Sequence, residues 1–159
     1  MTDLNKILVP TDFSDASAAA LKYACELAAA MHAELTVLHV LDHPYPIGAY
    51  TEYYSPPQEF FEKRERQART LIDGLLTPEQ KAQYHAELVL RRGDPVRQIL
   101  HYLHEHGAVH LVVMATHGRG GVARLMMGSV ADKIVRMAPC PVLTIRVPDA
   151  HEPGDTRAA

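Results

Sequence analysis

The chain has 159 residues, of which 47% are hydrophobic and 22% charged, a composition typical of one compact globular domain. Its formal net charge is −3 and its isoelectric point is near 6.3, so it lacks the basic surplus that nucleic acids or anionic membranes attract. The sequence shows neither a signal peptide nor a run of membrane-spanning length, and we expect a cytoplasmic protein. Cys25 and Cys140 lie among apolar residues and are predicted to be buried free thiols.

Short continuous apolar runs alternate with amphipathic segments along the chain. The runs predict five buried strands, at residues 7–9, 35–40, 86–90, 111–114 and 142–147. Helical stripes predict four helices, which begin after the N-cap Ser14, near Gln58, after the N-cap Asp94 and at the cap Ser129. A loop rich in proline and tyrosine occupies residues 41–57, and the tail at 149–159 is predicted to be disordered.

This alternation predicts a single doubly wound α/β domain over residues 1–148. We expect a five-stranded parallel sheet of order 3-2-1-4-5 with helices on both faces. Ligands of such sheets bind outside the carboxyl ends of the strands, where the strand order reverses. If the first and fourth strands flank that point, Thr11, Asp12 and residues 115–118 face one crevice.

The segment at 114–129 combines glycines with a helix start, which favours a phosphate site. Glycine lets the backbone approach an anion, and unpaired N–H groups at a helix start carry partial positive charge. The segment is not a Walker loop, because no lysine follows its glycines at the required spacing. Gly118, Gly120 and Ala123 match a dinucleotide fingerprint only by coincidence, since they follow the fourth strand and no acidic residue stands about 20 positions later.

Five segments together resemble the universal stress protein family: residues 7–14 (ILVPTDFS), 38–40 (LHV), 116–119 (THGR), 128–131 (GSVA) and 139–143 (PCPVL). The match extends over about residues 6–147. Sequences of the ATP-binding branch of that family resemble the pattern Gly-x-x-Gly, followed by nine residues and then Gly-Ser/Thr. This chain has Gly118, nine residues and Gly128-Ser129, but Ala115 at the first position. One added methyl group predicts weakened rather than abolished binding.

The resemblance implies a site for ATP, with Mg²⁺ or Mn²⁺ as a candidate companion ion. Asp12 is implied to meet the adenosine part, and Val40 the adenine through its backbone. The ribose and phosphates are implied to lie along Ala115, Gly118 and the N–H groups of Gly128, Ser129 and Val130. The same two junctions contribute the rest of the implied nucleotide-binding set: Pro10, Thr11, Met114, His117 and Arg119. Two simpler interpretations stay open, namely that Asp12 only caps the first helix or turn and that Gly128-Ser129 is only a helix start.

These features favour an ATP-binding regulatory protein of the stress response, in which nucleotide occupancy modulates a homodimer and its partner contacts. The strand at 142–147 is a strongly β-forming edge and is the expected dimer contact. One alternative is a slow ATPase or phosphotransfer enzyme, and another is a dimeric stress protein that has lost nucleotide binding. Arg119 and Arg124 supply positive charge, but the phosphate segment contains no acidic residue, so we expect slow hydrolysis or none. His101 and His104 are expected to be solvated side chains rather than metal ligands.

Overall fold

Five parallel strands form one sheet in the computed structural model, which describes residues 4–42, 57–117 and 127–147. The strands are β1 (Lys6–Thr11), β2 (Glu34–Leu41), β3 (Glu87–Arg92), β4 (Leu111–Ala115) and β5 (Val142–Ile145). Their order across the sheet is β3-β2-β1-β4-β5, and every adjacent pair is parallel. The predicted sheet and its strand order are therefore confirmed.

Helices cover both faces of the sheet. They are α1 (Asp15–Met31), α2 (Gln58–Asp73), α3 (Pro78–Gln83), α4 (Pro95–Glu105) and α5 (Ser129–Met137). One buried cluster joins the sheet to α1 and α2, and a second joins it to α4 and α5. Because both faces are covered, the strands can be apolar along their whole length. This arrangement is the predicted doubly wound fold.

Two predicted helix starts are confirmed by their hydrogen bonds. The Ser14 hydroxyl oxygen accepts the N–H of Ser17, and an Asp94 carboxylate oxygen accepts the N–H of Arg97 at 2.9 Å. In each case a side chain satisfies one of the four N–H groups that a helix start leaves unpaired. Pro95 then occupies the first turn of α4, where its missing N–H costs nothing.

The helix predictions were wrong in two places. The described ranges contain five helices rather than four, because the sequence pattern missed α3. That helix has six residues, none of them buried, so it has no apolar period; a capping box between Thr77 and Gln80 defines its start instead. Ser129 is not a cap but the first residue of α5, and the N-cap is Gly128.

Several boundaries and one buried position also differ from expectation. β1 continues through Pro10 to Thr11, and β5 ends at Ile145 because β4, its neighbour, already ends at the paired Ala115. The apolar spacing of α2 in the sequence predicts that Leu71 faces the core together with Ala68 and Ile72. Leu71 is instead 50% exposed, because the buried face of α2 follows Ala68 and Ile72. The loop interior at 43–56 and the tail at 149–159 lie outside the described residues.

Both cysteines are free thiols. Cys25 is buried on α1 as predicted, whereas Cys140 is only half-buried because it lies in the exposed turn before β5. Burial raises the pKa of both thiols, and the Glu26 carboxylate adds to the increase at Cys25. Within the part of the chain that the structure describes, no helix is long and apolar enough to cross a bilayer.

Candidate functional site

The strand order reverses between β1 and β4, and a proline ends the ladder between these strands. Their ladder contains only the pairs Ile7–Leu111 and Leu8–Val112, whereas β1 pairs with β2 as far as Thr11. Backbone polar groups alternate between the two sides of a strand, so Pro10, like Leu8, faces β4. Because proline has no N–H, the ladder cannot continue there. A crevice opens between the carboxyl ends of β1 and β4.

Asp12 lies at the β1 side of this crevice and holds a tight turn. One of its carboxylate oxygens accepts the N–H of Ser14 at 3.0 Å and the Ser14 hydroxyl at 2.5 Å. Ser14 in turn caps α1. The interpretation of Asp12 as a turn residue is thus supported directly, and any role toward a ligand would be additional to it.

The Thr11 side chain faces inward and is used within the protein. Its hydroxyl oxygen accepts the Phe13 N–H at 3.1 Å and lies 3.1 Å from the Ser17 hydroxyl oxygen. The Ser17 hydroxyl donates to the Ser14 carbonyl at 2.9 Å, so the hydrogen between Ser17 and Thr11 comes from Thr11. Thr11 is only 8% exposed. Its hydroxyl therefore holds the turn in place and is not presented to the crevice.

Val40 presents backbone groups to the β1 side of β2. The N–H of Glu34 donates to the Asn5 carbonyl before β1, and the Leu41 carbonyl accepts from Gly93 after β3. Alternation along β2 therefore directs the backbone of Val40 toward β1. In the parallel pairing of Thr11 with His39, the Val40 N–H donates to the Thr11 carbonyl, whereas the Val40 carbonyl lies beyond the final pair. This carbonyl can accept a hydrogen bond from a polar ring.

Met114 and Ala115 end β4 and are buried. The N–H groups of Val112 and Thr116 donate to Pro141 and Ile145 on the β5 side, so alternation directs the backbone of Ala115 into the crevice. The Ala115 residue is 8% exposed. The position at which the chain departs from the Gly-x-x-Gly pattern therefore lies on the crevice wall.

One hydrogen bond brings the start of α5 to the end of β4. The Gly128 N–H donates to the Thr116 carbonyl at 2.7 Å, and Asp132 is the first residue whose N–H bonds back into the helix, at 2.9 Å to the Gly128 carbonyl. The N–H groups of Ser129 and Val130 therefore have no acceptor within α5. No side chain of the described residues caps this helix. Among the described residues, none occupies the positive end of α5, which can attract an anion beside the crevice.

His117 follows Thr116 at the same edge. Its Nδ1 lies 2.9 Å from the Thr116 hydroxyl oxygen, while its buried Nε2 finds no hydrogen-bond partner among the described residues. Gly118 and Arg119, the other predicted contacts of this segment, lie outside the described residues, as does Arg124. The structure thus places the predicted residues Pro10, Asp12, Val40, Met114, Ala115, His117, Gly128, Ser129 and Val130 around the carboxyl edge of β2, β1 and β4.

Sequence reasoning assigned no role to His39, which the structure places under the Asp12 turn. Its Nδ1 lies 2.8 Å from the Thr11 carbonyl, and its ring centroid is 4.2 Å from that of Phe13. Strand alternation places His39 on the face opposite its neighbours, but no local pattern reveals a partner 28 residues away. Among the residues that the structure describes, no group of three potential ligands can hold a metal, and His101 and His104 are exposed.

Comparison with known proteins agrees with this architecture. A family model described as the universal stress protein family matches residues 4–146. Universal stress protein YxiE of Bacillus subtilis is 31% identical over 147 residues, which cover 89% of this chain and 99% of that protein. The structure of universal stress protein UspA from Lactobacillus plantarum is similar with a TM-score of 0.71 at 25% identity, covering 92% of this chain and all of that one. The universal stress protein from Archaeoglobus fulgidus in complex with dAMP has a TM-score of 0.56 at 21% identity, covering 91% of this chain and 99% of that one. The chain belongs to the universal stress protein family.

Proposed function

We propose that this stress protein binds ATP in the crevice between β1 and β4, and that occupancy modulates a homodimer and its partner contacts in the cytoplasm. The observation that carries the proposal is the hydrogen bond between Gly128 and Thr116, which fixes an uncapped helix start at the switch point of the sheet. Helix N-termini at such points hold nucleotide phosphates in α/β folds. The dAMP complex of the Archaeoglobus fulgidus relative supports an adenine nucleotide as the ligand class.

The nucleoside end of the ligand is proposed to lie over β1 and β2. Val40 offers a backbone carbonyl that can accept a hydrogen bond from the amino group of adenine. Asp12 is proposed to contact the ribose, since a carboxylate accepts hydrogen bonds from hydroxyl groups. Pro10 contributes the gap into which the nucleoside fits rather than a polar contact.

The phosphates are proposed to lie at the start of α5. The N–H groups of Ser129 and Val130 are the donors, and the Ser129 hydroxyl, on an exposed residue, can add a further bond. The buried Nε2 of His117 is a candidate partner for a phosphate oxygen. Gly118, Arg119 and a companion Mg²⁺ or Mn²⁺ ion belong to the same proposal, on the basis of the family pattern.

The homodimer is proposed to form along β5. The N–H groups of Val112 and Thr116 donate to Pro141 and Ile145, so the backbone of Thr144 faces outward, toward the open edge. Val135 and Met137 on α5 and Val147 after β5 are large apolar residues exposed on elements beside this edge. A second copy paired antiparallel to β5 would bond its outward groups and cover apolar surface.

Thr116 connects the proposed nucleotide site to the proposed dimer strand. Its carbonyl accepts from Gly128 at 2.7 Å, and its own N–H donates to Ile145 at 3.0 Å. A phosphate that binds at the start of α5 and shifts it would therefore act on Thr116, whose own N–H is bonded to β5. This contact supports modulation of the dimer by the nucleotide, since a ligand shifts an assembly only through contacts that differ between its states.

Calorimetric titration with magnesium ATP tests the proposed site through the substitution Gly128→Val. Gly128 has φ −57° and ψ 147°, a conformation that any residue adopts, so valine should fold normally while its branched side chain crowds the helix start. We expect ATP affinity to fall by more than about tenfold, equivalent to about 1.4 kcal/mol.

Gly107→Val is the matched control for that titration. A side-chain carbon added at Gly107 meets nothing within 4 Å, so the same substitution there should leave both folding and ATP affinity unchanged. Equal affinity of Gly128→Val and the parent protein would show that the phosphates bind elsewhere.

A further inference from the structure

The turn around Asp12 contains an unfavourable backbone conformation, which contacts from other residues must stabilise. Phe13 has φ +64°, in the left-handed region that is unfavourable for residues with a bulky side chain. The other two non-glycine residues with positive φ in the described ranges, His32 and His85, lie at helix C-termini, where this conformation is common. Phe13 instead lies between a strand and a helix start, so contacts from elsewhere must compensate its backbone.

His39 supplies contacts to both neighbours of Asp12. A carbonyl oxygen only accepts, so the His39 Nδ1 carries a hydrogen and donates it to the Thr11 carbonyl at 2.8 Å. On the other side of Asp12, the Phe13 ring lies against the His39 ring at 4.2 Å between centroids, with a tilt of 36°. His39 is 8% exposed and belongs to β2, so it holds the turn from the rigid sheet rather than from within the turn.

We propose that His39 is the positioning residue of the nucleoside subsite: through Thr11 and Phe13 it fixes the direction in which Asp12 presents its carboxylate. This inference rests on the proposed ATP site. Without His39 the turn would sample other conformations. Measured affinity would then fall in proportion to the fraction of molecules in which Asp12 is placed correctly.

Two substitutions separate the two contacts of His39. His39→Phe retains a ring against Phe13 and removes the donor, whereas His39→Asn removes the ring and retains an N–H donor near the position of Nδ1. We expect His39→Phe to weaken ATP binding about tenfold, because one hydrogen bond that fixes the turn is lost. His39→Asn should remain within about threefold of the parent protein, and the amides of Phe13 and Ser14 should exchange hydrogen faster only in His39→Phe.

A double-mutant cycle shows whether His39 acts through Asp12. In an Asp12→Asn background, His39→Phe should weaken ATP binding by less than about twofold, since the group that it positions is already impaired. Thr36→Val controls for general disturbance of β2: Thr36 is fully buried on the same strand, and its replacement should leave ATP affinity unchanged.

The outcomes distinguish this inference from the proposed function. Failure of the parent protein to bind ATP would refute the proposed function, and the inference with it. If the parent protein binds ATP, three results would each overturn the inference alone: equal affinity of His39→Phe, equal weakening by His39→Phe and His39→Asn, or additive effects of His39→Phe and Asp12→Asn. The expected pattern is a loss in His39→Phe, recovery in His39→Asn and no additivity.

Discussion

Ala115 is the residue at which this chain departs from the family's Gly-x-x-Gly pattern, and the structure shows what the departure changes. Its backbone faces the crevice and its methyl group is nearly buried at the end of β4. Without the methyl group, a ribose or phosphate could approach the α-carbon at this position more closely. The methyl group removes no backbone donor or acceptor, which is consistent with weakened rather than abolished binding.

Replacing Ala115 with glycine tests this account. We expect ATP affinity to be unchanged or higher, because the crevice gains the volume of one methyl group. Stability should fall by about 0.5–1 kcal/mol, the usual cost of glycine within a strand. Calorimetry with ATP measures the first effect and chemical denaturation the second. A clear loss of affinity would mean that the methyl group contacts the nucleotide favourably.

At the residue scale, the features that could be predicted from the sequence are those formed by residues close together along the chain. Ser14 and Asp94 were identified as caps because the accepting side chain and the backbone N–H that donates to it lie three residues apart. His39 was not assigned a role because its partners are distant in sequence: Thr11 ends β1, and Phe13 lies in the turn that follows it. Ser129 was misassigned as a cap because its neighbour Gly128 is instead fixed by Thr116, 12 residues earlier.

The two edge strands of the sheet differ in their protection against pairing with another copy. β3 carries charged residues that form ion pairs: Glu87 with Lys6, Arg91 with Glu105, and Arg92 with Glu65. β5 contains only Val, Leu, Thr and Ile. Charged side chains block edge association, and an uncharged β-branched edge favours it. The contrast supports β5, rather than β3, as the contact of the proposed dimer.

The substitution Thr144→Pro tests the dimer contact at the level of this strand. The backbone of Thr144 faces the open edge, so proline removes an outward donor while the hydrogen bonds of β5 to β4 stay intact. We expect the variant to be monomeric in light scattering. Thr144→Val keeps both the N–H and a β-branched side chain, and should stay dimeric. An unchanged dimer mass for Thr144→Pro would place the interface elsewhere.

At the element scale, prediction succeeded where burial was extensive. The central strands β1, β2 and β4 were found because they are mostly buried, and the partly buried edge strands β3 and β5 because each contains a short apolar run. The exposed helix α3 left no apolar period to detect. The predicted strand ends differ from the observed ones for a related reason: where a strand ends depends on where its neighbour stops pairing with it. β5 ends at Ile145 because Ala115 is the last residue of β4 able to pair with it.

At the scale of the whole molecule, the proposed nucleotide site and the proposed dimer contact share a boundary. β4 carries the crevice wall on one side and pairs with β5 on the other, and Thr116 bonds to both Gly128 and Ile145. In the doubly wound order, only β4 and β5 separate the switch point from the open edge. This topology would allow a small domain to combine the proposed nucleotide binding with the proposed self-association.

Native mass spectrometry tests the central claim most directly, because it reports bound nucleotide and subunit number in one measurement. The protein should be examined as purified and after addition of about 1 mM magnesium ATP, enough to saturate a site of micromolar affinity. We predict a dimer that carries one adenine nucleotide per subunit. A protein that carries no nucleotide under either condition would contradict the account.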